Sequence, residues 1–178
     1  MSVKKISISN FRCFDYIDLE FSELNNFIHG ANGSGKTSIL EALYFCSTGR
    51  SFKSSNKNLC IQNNKEAFKI QLETLSNNKI CILKESKKSI SFKINENSAT
   101  SIELFRTIPS TLLDNKTFSM FADTPKYRRK ILDRCLMASD KSYSRDFFSF
   151  HRSLKQRNAA LKFKRLSNID MWSEIFIN

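Results

Sequence analysis

The sequence predicts an α/β fold, and three features of the chain support this. Short runs in which apolar and polar residues alternate, as in β-strands, recur as far as residue 95. A glycine-rich segment, residues 30–37, separates one of these runs from a helical pattern. After Thr124 the apolar residues recur with the period of a helix, about 3.6 residues. The 178 residues therefore divide into a mixed lobe, residues 1–123, and the start of a helical lobe, residues 124–178.

The first predicted elements are two strands in a hairpin, residues 3–8 and 16–21. A third strand, residues 26–29, leads directly into the glycine-rich segment. Residues 38–47 predict a helix, and Gly49 is placed to end it. The apolar side chains expected on one side of this helix are Ile39, Leu40, Leu43 and Cys46.

The middle of the chain predicts an antiparallel meander. Residues 50–66 are polar and basic without a clear period, which indicates a loop with room for a short helix. The strands of the meander are expected at residues 67–73, 79–84 and 89–95. A short helix at residues 98–105 and a short strand at residues 109–114 complete the mixed lobe.

Two helices are predicted in the remainder of the chain. Thr124 is a good N-cap, and Pro125 suits the first position of a helix. The apolar face of this helix comprises Tyr127, Ile131, Leu132, Cys135 and Leu136. Arg128 falls within that face, either as a side chain that extends outward to solvent or as an anchor for a phosphate or a partner. A long helix, residues 141–166, carries a short apolar seam like that of a coiled coil.

The chain is strongly basic, with a formal net charge of +12. A field of this sign attracts polyanions, of which nucleic acid is the first candidate and an anionic membrane surface the second. A solvated basic protein without a polyanionic partner remains the alternative.

Cysteine usage and hydropathy indicate a cytoplasmic protein. The five cysteines contain no C-x-x-C pair, and only two histidines are present, so neither a zinc site nor a disulfide framework is expected. The N-terminus lacks the apolar region of a signal peptide. No apolar run approaches the ~18 residues that a membrane span requires.

The glycine-rich segment matches the phosphate-binding pattern G-x-x-x-x-G-K-S/T in full. Its members are Gly30, Ala31, Asn32, Gly33, Ser34, Gly35, Lys36 and Thr37. Such a loop turns backbone amides toward phosphate oxygens, and the following helix adds the partial positive charge of its N-terminus. Lys36 would reach the β- and γ-phosphates of ATP, and the hydroxyl of Thr37 would bind Mg²⁺. The sequence therefore predicts an ATP site with Mg²⁺.

ATP hydrolysis also requires a carboxylate at a strand end, for the metal ion. Asp114 is the nearest candidate, but only a short apolar run precedes it. Its alternative role is that of a turn or cap residue.

Several stretches of the chain resemble the N-terminal half of the RecF family of bacterial DNA replication and repair ATPases. They occur in the order of the family and at about its spacing. These stretches are Asn10-Phe11-Arg12, the loop at residues 30–37 followed by Leu40-Glu41-Ala42, Gly49-Arg50-Ser51-Phe52-Lys53-Ser54, Pro125-Lys126-Tyr127-Arg128-Arg129, and Leu154-Lys155-Gln156-Arg157-Asn158. The phosphate loop alone is shared by many families, whereas the last three stretches together are specific. The resemblance is weakest over residues 56–105.

This resemblance implies a P-loop NTPase fold like the heads of ABC and SMC ATPases. It also implies binding of ATP and of single-stranded or gapped DNA, an ATP-dependent homodimer, and recombinase loading with other recombination-mediator proteins during replication, recombinational repair and the SOS response. Arg12 and Asn32 would approach the nucleotide, although Arg12 also fits a surface strand residue. The candidates for contacts with DNA or with a second head are Arg50, Lys53, Arg128, Arg129, Lys155 and Arg157. Each of these is otherwise a solvated charge.

The chain also departs from the family pattern. The serine-rich signature and the metal-binding acidic strand of the family lie in its C-terminal half, beyond Asn178. A glutamine that the family places after its equivalent of Pro109 is absent, because Ser110-Thr111 follows here. We therefore expect an ATP-binding half-site in a sheet that is incomplete at the C-terminus, with an open edge that favours association. Whether this chain hydrolyses ATP stays open.

Two other functions remain compatible with the sequence. One is a small, self-contained P-loop phosphotransferase that uses Asp114 as its metal ligand. The other is a truncated, non-catalytic DNA-binding remnant in which the phosphate loop no longer matters.

Overall fold

The computed structural model describes residues 2–113 and 125–162. The chain divides into two compact units, Met1–Phe121 and Ala122–Asn178. Over the described residues, the first unit contains a sheet with its covering helices, and the second contains two helices. No helix within the described residues combines the length and the hydropathy that crossing a membrane requires.

In the described part of the first unit the sheet has six strands, and every neighbouring pair is antiparallel. Its strands are β1 (Val3–Phe11), β2 (Phe14–Glu20), β3 (Ala67–Thr74), β4 (Lys79–Glu85), β5 (Ser91–Ile94) and β6 (Asn97–Ser98). Their order in the sheet is β2-β1-β3-β4-β5-β6. The predicted hairpin and meander are therefore confirmed, and the two-residue strand β6 was not predicted.

Helix α1 (Lys36–Thr48) and helix α2 (Ser101–Thr107) belong to this unit, together with a 3₁₀ helix (Lys57–Cys60) in the loop between α1 and β3. Gly49 ends α1 as predicted, in a left-handed conformation with its N–H bonded to the carbonyl of Phe45. Helix α2 begins later than predicted, because the side chains of Thr100 and Glu103 form a capping box there.

The core lies between one face of the sheet and helices α1 and α2. Alternate residues of the strands point to this face, as the period of a strand requires, so Ile6, Ile70 and Ile82 are completely buried. Three phenylalanine rings, of Phe11, Phe45 and Phe68, meet edge to face with centroids 5.1 to 6.4 Å apart.

The buried face of α1 differs from the predicted one. The buried apolar residues of this helix are Ile39, Ala42, Phe45 and Cys46, whereas Leu40 is 46% exposed. The prediction for Leu40 was wrong because a helix that packs on a sheet buries one stripe, and the residue after Ile39 lies about 100° away from it.

The third predicted strand, residues 26–29, does not form, and the segment is an irregular chain outside any ladder. A strand needs a hydrogen-bonding neighbour, and no strand in the described part of the chain pairs with these residues. The side chains of Leu24 and Phe27 are accordingly 89% and 87% exposed. The predicted strand at residues 109–114 is likewise absent over residues 109–113, while Asp114 lies outside the described residues.

The second unit contains α3 (Pro125–Ser139) and α4 (Lys141–Lys162). Both predicted helices are confirmed over their described residues. The hydroxyl of Tyr143 in α4 donates to the carboxylate of Asp133 in α3, at 2.7 Å. On the predicted apolar face of α3, Leu132 and Leu136 are 61% and 44% exposed.

Candidate phosphate-binding site

The phosphate loop follows the irregular segment at residues 26–29 and ends where α1 begins. Gly33 and Gly35 have φ angles of +83° and +93°, in the left-handed region that glycine adopts without strain. A Cβ atom at Gly35 would also collide with the ring of Phe14 and would lie 2.8 Å from the sulfur of Cys13. At Gly33 no atom lies within 4 Å of such a Cβ. Gly35 is therefore required both by its backbone conformation and by its surroundings.

The N-terminus of α1 forms one side of the site. Gly35 is the N-cap, and its carbonyl accepts the N–H of Ser38 at 2.8 Å and that of Ile39 at 3.1 Å. The first N–H groups of a helix have no partner within the helix and carry a partial positive charge. The first turn of α1 contains no acidic residue that would oppose this charge. This end of the helix is consequently suited to an anion.

Lys36 lies across the loop rather than extending into solvent. Its ammonium group donates to the carbonyl oxygens of Gly30 and Ala31, both at 2.7 Å. An ammonium group has three N–H donors. The two backbone contacts keep this charge above the loop, where the pattern places the β- and γ-phosphates.

The loop borders a pocket of about 640 Å³, a size typical of small-molecule sites. Its lining residues are Arg12, Cys13, Asn32, Gly33, Gly35, Lys36, Thr37, Ser38, Lys53, Leu59, Ile61 and Asn63. Three of these are cationic and none is acidic. The structure thus brings Arg12 and Lys53, predicted from separate stretches, to the same pocket as the loop.

Arg12 lies in the turn between β1 and β2, with a positive φ of 56°, so it is not a strand residue. Its guanidinium group forms a double hydrogen bond with Glu41, from Nε at 3.0 Å and from Nη2 at 2.6 Å. Nη1 donates to the carbonyl of Leu59 at 2.7 Å. The hydrogen bond to Glu41 raises the pKa of Arg12 above its ordinary value.

Glu41 is the site residue to which the sequence analysis gave no role. Its side chain is completely buried on α1, where it meets Arg12. A signal was present, because the helical period places Glu41 beside Ser38, Ala42 and Phe45 on the face that packs on the sheet. A carboxylate at such a position requires a cationic or hydrogen-bonding partner.

The remaining predicted basic residues occupy the loop after α1 and the two described helices of the second unit. Arg50 is exposed in the loop after α1. Arg128, Arg129 and Lys155 are exposed on the helices of the second unit, and Arg157 is half-buried there.

Known proteins resemble this chain over most of its length. A family model described as an AAA domain matches residues 5–174. The chain is 37% identical over 167 residues to the DNA replication and repair protein RecF of Histophilus somni (strain 2336), a match that covers 91% of this chain. The chain spans about half the length of the curated relatives it matches, 46% in this case.

Two solved structures share the fold of this chain. A structure described as the recombination mediator protein RecF-ATP in the RecFOR pathway superposes with a TM-score of 0.87 and 27% identity, covering 97% of this chain and 49% of that one. An Smc head bound to the C-winged helix domain of ScpA superposes with a TM-score of 0.63 and 21% identity. That match covers 90% of this chain and 60% of the Smc head, and it shows a shared fold.

Proposed function

This chain belongs to the RecF family of DNA replication and repair proteins, and we propose that it binds ATP with Mg²⁺ through residues 30–37. The observation that carries the proposal is the position of the Lys36 ammonium, 2.7 Å from two loop carbonyls at the N-terminus of α1. The similar RecF-ATP structure supports ATP as the nucleotide.

Each feature of the pocket has a role in this proposal. The N–H groups of the loop and of the first turn of α1 would bind phosphate oxygens. Lys36 would neutralise the β- and γ-phosphates, and Arg12 and Asn32, which line the same pocket, would contact the nucleotide. Thr37 is exposed at the start of α1, and its hydroxyl is a hard oxygen ligand of the kind that Mg²⁺ prefers. Bound Mg²⁺ would offset the negative charge of the triphosphate.

We further propose that the protein binds single-stranded or gapped DNA in the cytoplasm and assists recombinase loading with recombination-mediator proteins. The net charge of +12 supports a polyanionic partner. The exposed cations Arg50, Arg128, Arg129 and Lys155 are candidates for contacts with DNA or with a second copy in an ATP-dependent homodimer.

Fluorescence anisotropy with a gapped DNA duplex tests this role. We expect Mg-ATP to change the DNA affinity, and the logarithm of the affinity to fall steeply and linearly with the logarithm of the salt concentration, because bound cations release counterions. Lys36→Ala removes the ATP response, whereas Lys69→Ala, at an exposed position of β3, retains it.

Two results would contradict the proposal. A flat salt dependence would exclude an electrostatic DNA interface. A response to ATP that is unchanged in Lys36→Ala would indicate a DNA-binding remnant in which the phosphate loop has no role.

A further inference from the structure

A buried carboxylate adjoins the pocket without lining it. Glu41 is completely buried, and its two oxygens accept hydrogen bonds from Arg12 and from the hydroxyl of Ser51. The sulfur of Cys60 lies 3.8 Å from the same carboxylate. Burying a carboxylate is costly unless cationic and hydrogen-bonding partners compensate it. The position of Glu41 therefore restricts where these partners lie.

The first partner is Arg12, which lines the pocket. A guanidinium group has five N–H donors. In the described part of the chain, three of them are bonded, two to Glu41 and one to the carbonyl of Leu59. The planar group is therefore fixed in orientation, and two N–H donors are left for a ligand.

The second partner, Ser51, connects Glu41 to Lys53. The hydroxyl of Ser51 donates to Glu41 and accepts the backbone N–H groups of Lys53 at 2.9 Å and Ser54 at 3.0 Å. These bonds fix the turn that carries Lys53, which lines the same pocket as the phosphate loop. The carboxylate thus acts on Lys53 through one hydroxyl group.

We propose that Glu41 is a positioning residue that fixes two cations, Arg12 directly and Lys53 through Ser51, at the edge of the phosphate-binding pocket. This inference rests on the proposed function, because it takes the triphosphate of ATP as the ligand of both cations. Cations that are already oriented bind a phosphate chain without a further loss of side-chain entropy.

The direct substitutions are poor tests, because removal of Arg12 or Glu41 leaves a buried charge without its partner and endangers the fold. Ser51→Ala is better, since it leaves the Arg12–Glu41 ion pair in place and removes the one hydroxyl group that connects Glu41 to the turn that carries Lys53. Ser54→Ala is the matched control. It removes a hydroxyl group three residues away that bonds to the backbone of Asn56 and not to Glu41.

The experiment is a calorimetric titration of Mg-ATP into the full chain and its variants. We expect Ser51→Ala to weaken binding by about five-fold, the value of one hydrogen bond. Ser54→Ala changes the affinity by less than about two-fold, and Ser51→Thr restores it because the hydroxyl returns. Lys53→Ala also weakens binding, and Ser51→Ala combined with Lys53→Ala weakens it by less than the product of the single effects, because both act through one cation.

A second measurement does not depend on ATP. Hydrogen exchange becomes faster in Ser51→Ala at the Lys53 and Ser54 amides, and by more than at the amides of the core. The midpoint of unfolding in urea falls slightly, because Glu41 loses one hydrogen bond but keeps Arg12. Unchanged exchange of these amides would overturn the inference.

The outcomes separate the two proposals. If Lys36→Ala abolishes ATP binding but Ser51→Ala behaves like Ser54→Ala, the proposed function stands and the positioning role is wrong. If Lys36→Ala binds ATP as well as the unmutated chain, or if neither binds, the proposed function fails and the inference fails with it.

Discussion

The antiparallel sheet and the segment that carries the phosphate loop contain similar sequence patterns but differ in how they are held. In the sheet, alternating apolar residues such as Phe68 and Ile70 are completely buried. In residues 21–29 the apolar residues Leu24 and Phe27 are almost fully exposed. The difference shows that alternation indicates where a strand can form, whereas pairing with a distant neighbour decides whether it does.

Beyond Phe21, whose N–H donates to the carbonyl of Lys4 at 2.9 Å, the hydrogen bonds of the loop segment are mostly short-range. The side chain of Asn26 accepts the N–H of Ser22 at 2.8 Å and donates to its carbonyl at 3.0 Å. Further along, Lys36 bonds to the carbonyls of Gly30 and Ala31. These contacts shape the loop locally and contribute little to the packed core.

The largest expected effect compares two phenylalanine residues. Phe68→Ala removes a buried ring that meets Phe11 and Phe45, so we expect it to lower the free energy of unfolding by about 3–5 kcal/mol. Phe27→Ala, at a side chain that is 87% exposed, should change it by no more than about 0.5 kcal/mol. Urea unfolding measures both, and comparable losses would mean that the two regions are held alike.

A pair of glycine substitutions compares two positions within the phosphate loop. Gly33→Ala should lower the free energy of unfolding by about 1–2 kcal/mol, the cost of a left-handed backbone at a non-glycine residue. Its Cβ meets no neighbour, so no further loss is expected. Gly35→Ala should lower the free energy of unfolding by more than Gly33→Ala does, because its Cβ collides with Phe14 and Cys13. The same collision should distort the start of α1. Urea unfolding and Mg-ATP titration of both variants check this order. Equal losses of stability and affinity would show that the contacts of Gly35 are unimportant.

Two thiols distinguish the buried core from the pocket without any substitution. Cys46 lies in the core, where burial raises the pKa of its thiol far above the ordinary value. Cys13 is exposed and lines the pocket. An aromatic disulfide reagent at neutral pH should therefore modify Cys13 rapidly and Cys46 only after unfolding. Mg-ATP should slow the reaction of Cys13, and mass spectrometry of peptides locates the label. Equal rates with and without ATP would place the nucleotide elsewhere.

The smallest effect concerns the solvent face of the sheet. Hydrogen bonds from Lys5 and Ser7 lower the pKa of Asp18 below its ordinary value. The contribution of Asp18 to stability is therefore fully present above the ordinary pKa of an aspartate. It is lost as the pH falls through the lowered value. Asp18→Asn should slightly reduce the dependence of stability on pH in this acidic range, as measured by thermal unfolding. A larger effect than that of Phe68→Ala would contradict the dominance of the core.

The sequence predicted those parts of the fold that local patterns determine. The β1–β2 hairpin, the meander and the end of α1 at Gly49 follow from alternation, helical period and capping chemistry. The strand at residues 26–29 was wrong because its formation depends on a neighbour that the local pattern does not reveal. The phosphate-loop pattern could be recognised in the sequence because its members are consecutive residues and a helical pattern follows them.

The contacts of Arg12 were not predictable in the same way. Its partner Glu41 is 29 residues away in the sequence, and Leu59 is 47 residues away. Only the fold brings the hairpin turn, α1 and the 3₁₀ helix to one place. A charge on the buried face of a helix indicates that some partner exists, but not which residue it is.

Calorimetric titration of Mg-ATP into the purified chain tests the central claim, that residues 30–37 bind the phosphates of ATP, most directly. The account predicts saturable binding that is lost in Lys36→Ala and retained in Lys69→Ala, with both variants folded by circular dichroism. Binding of equal strength in Lys36→Ala, or no binding by a folded unmutated chain, would contradict it.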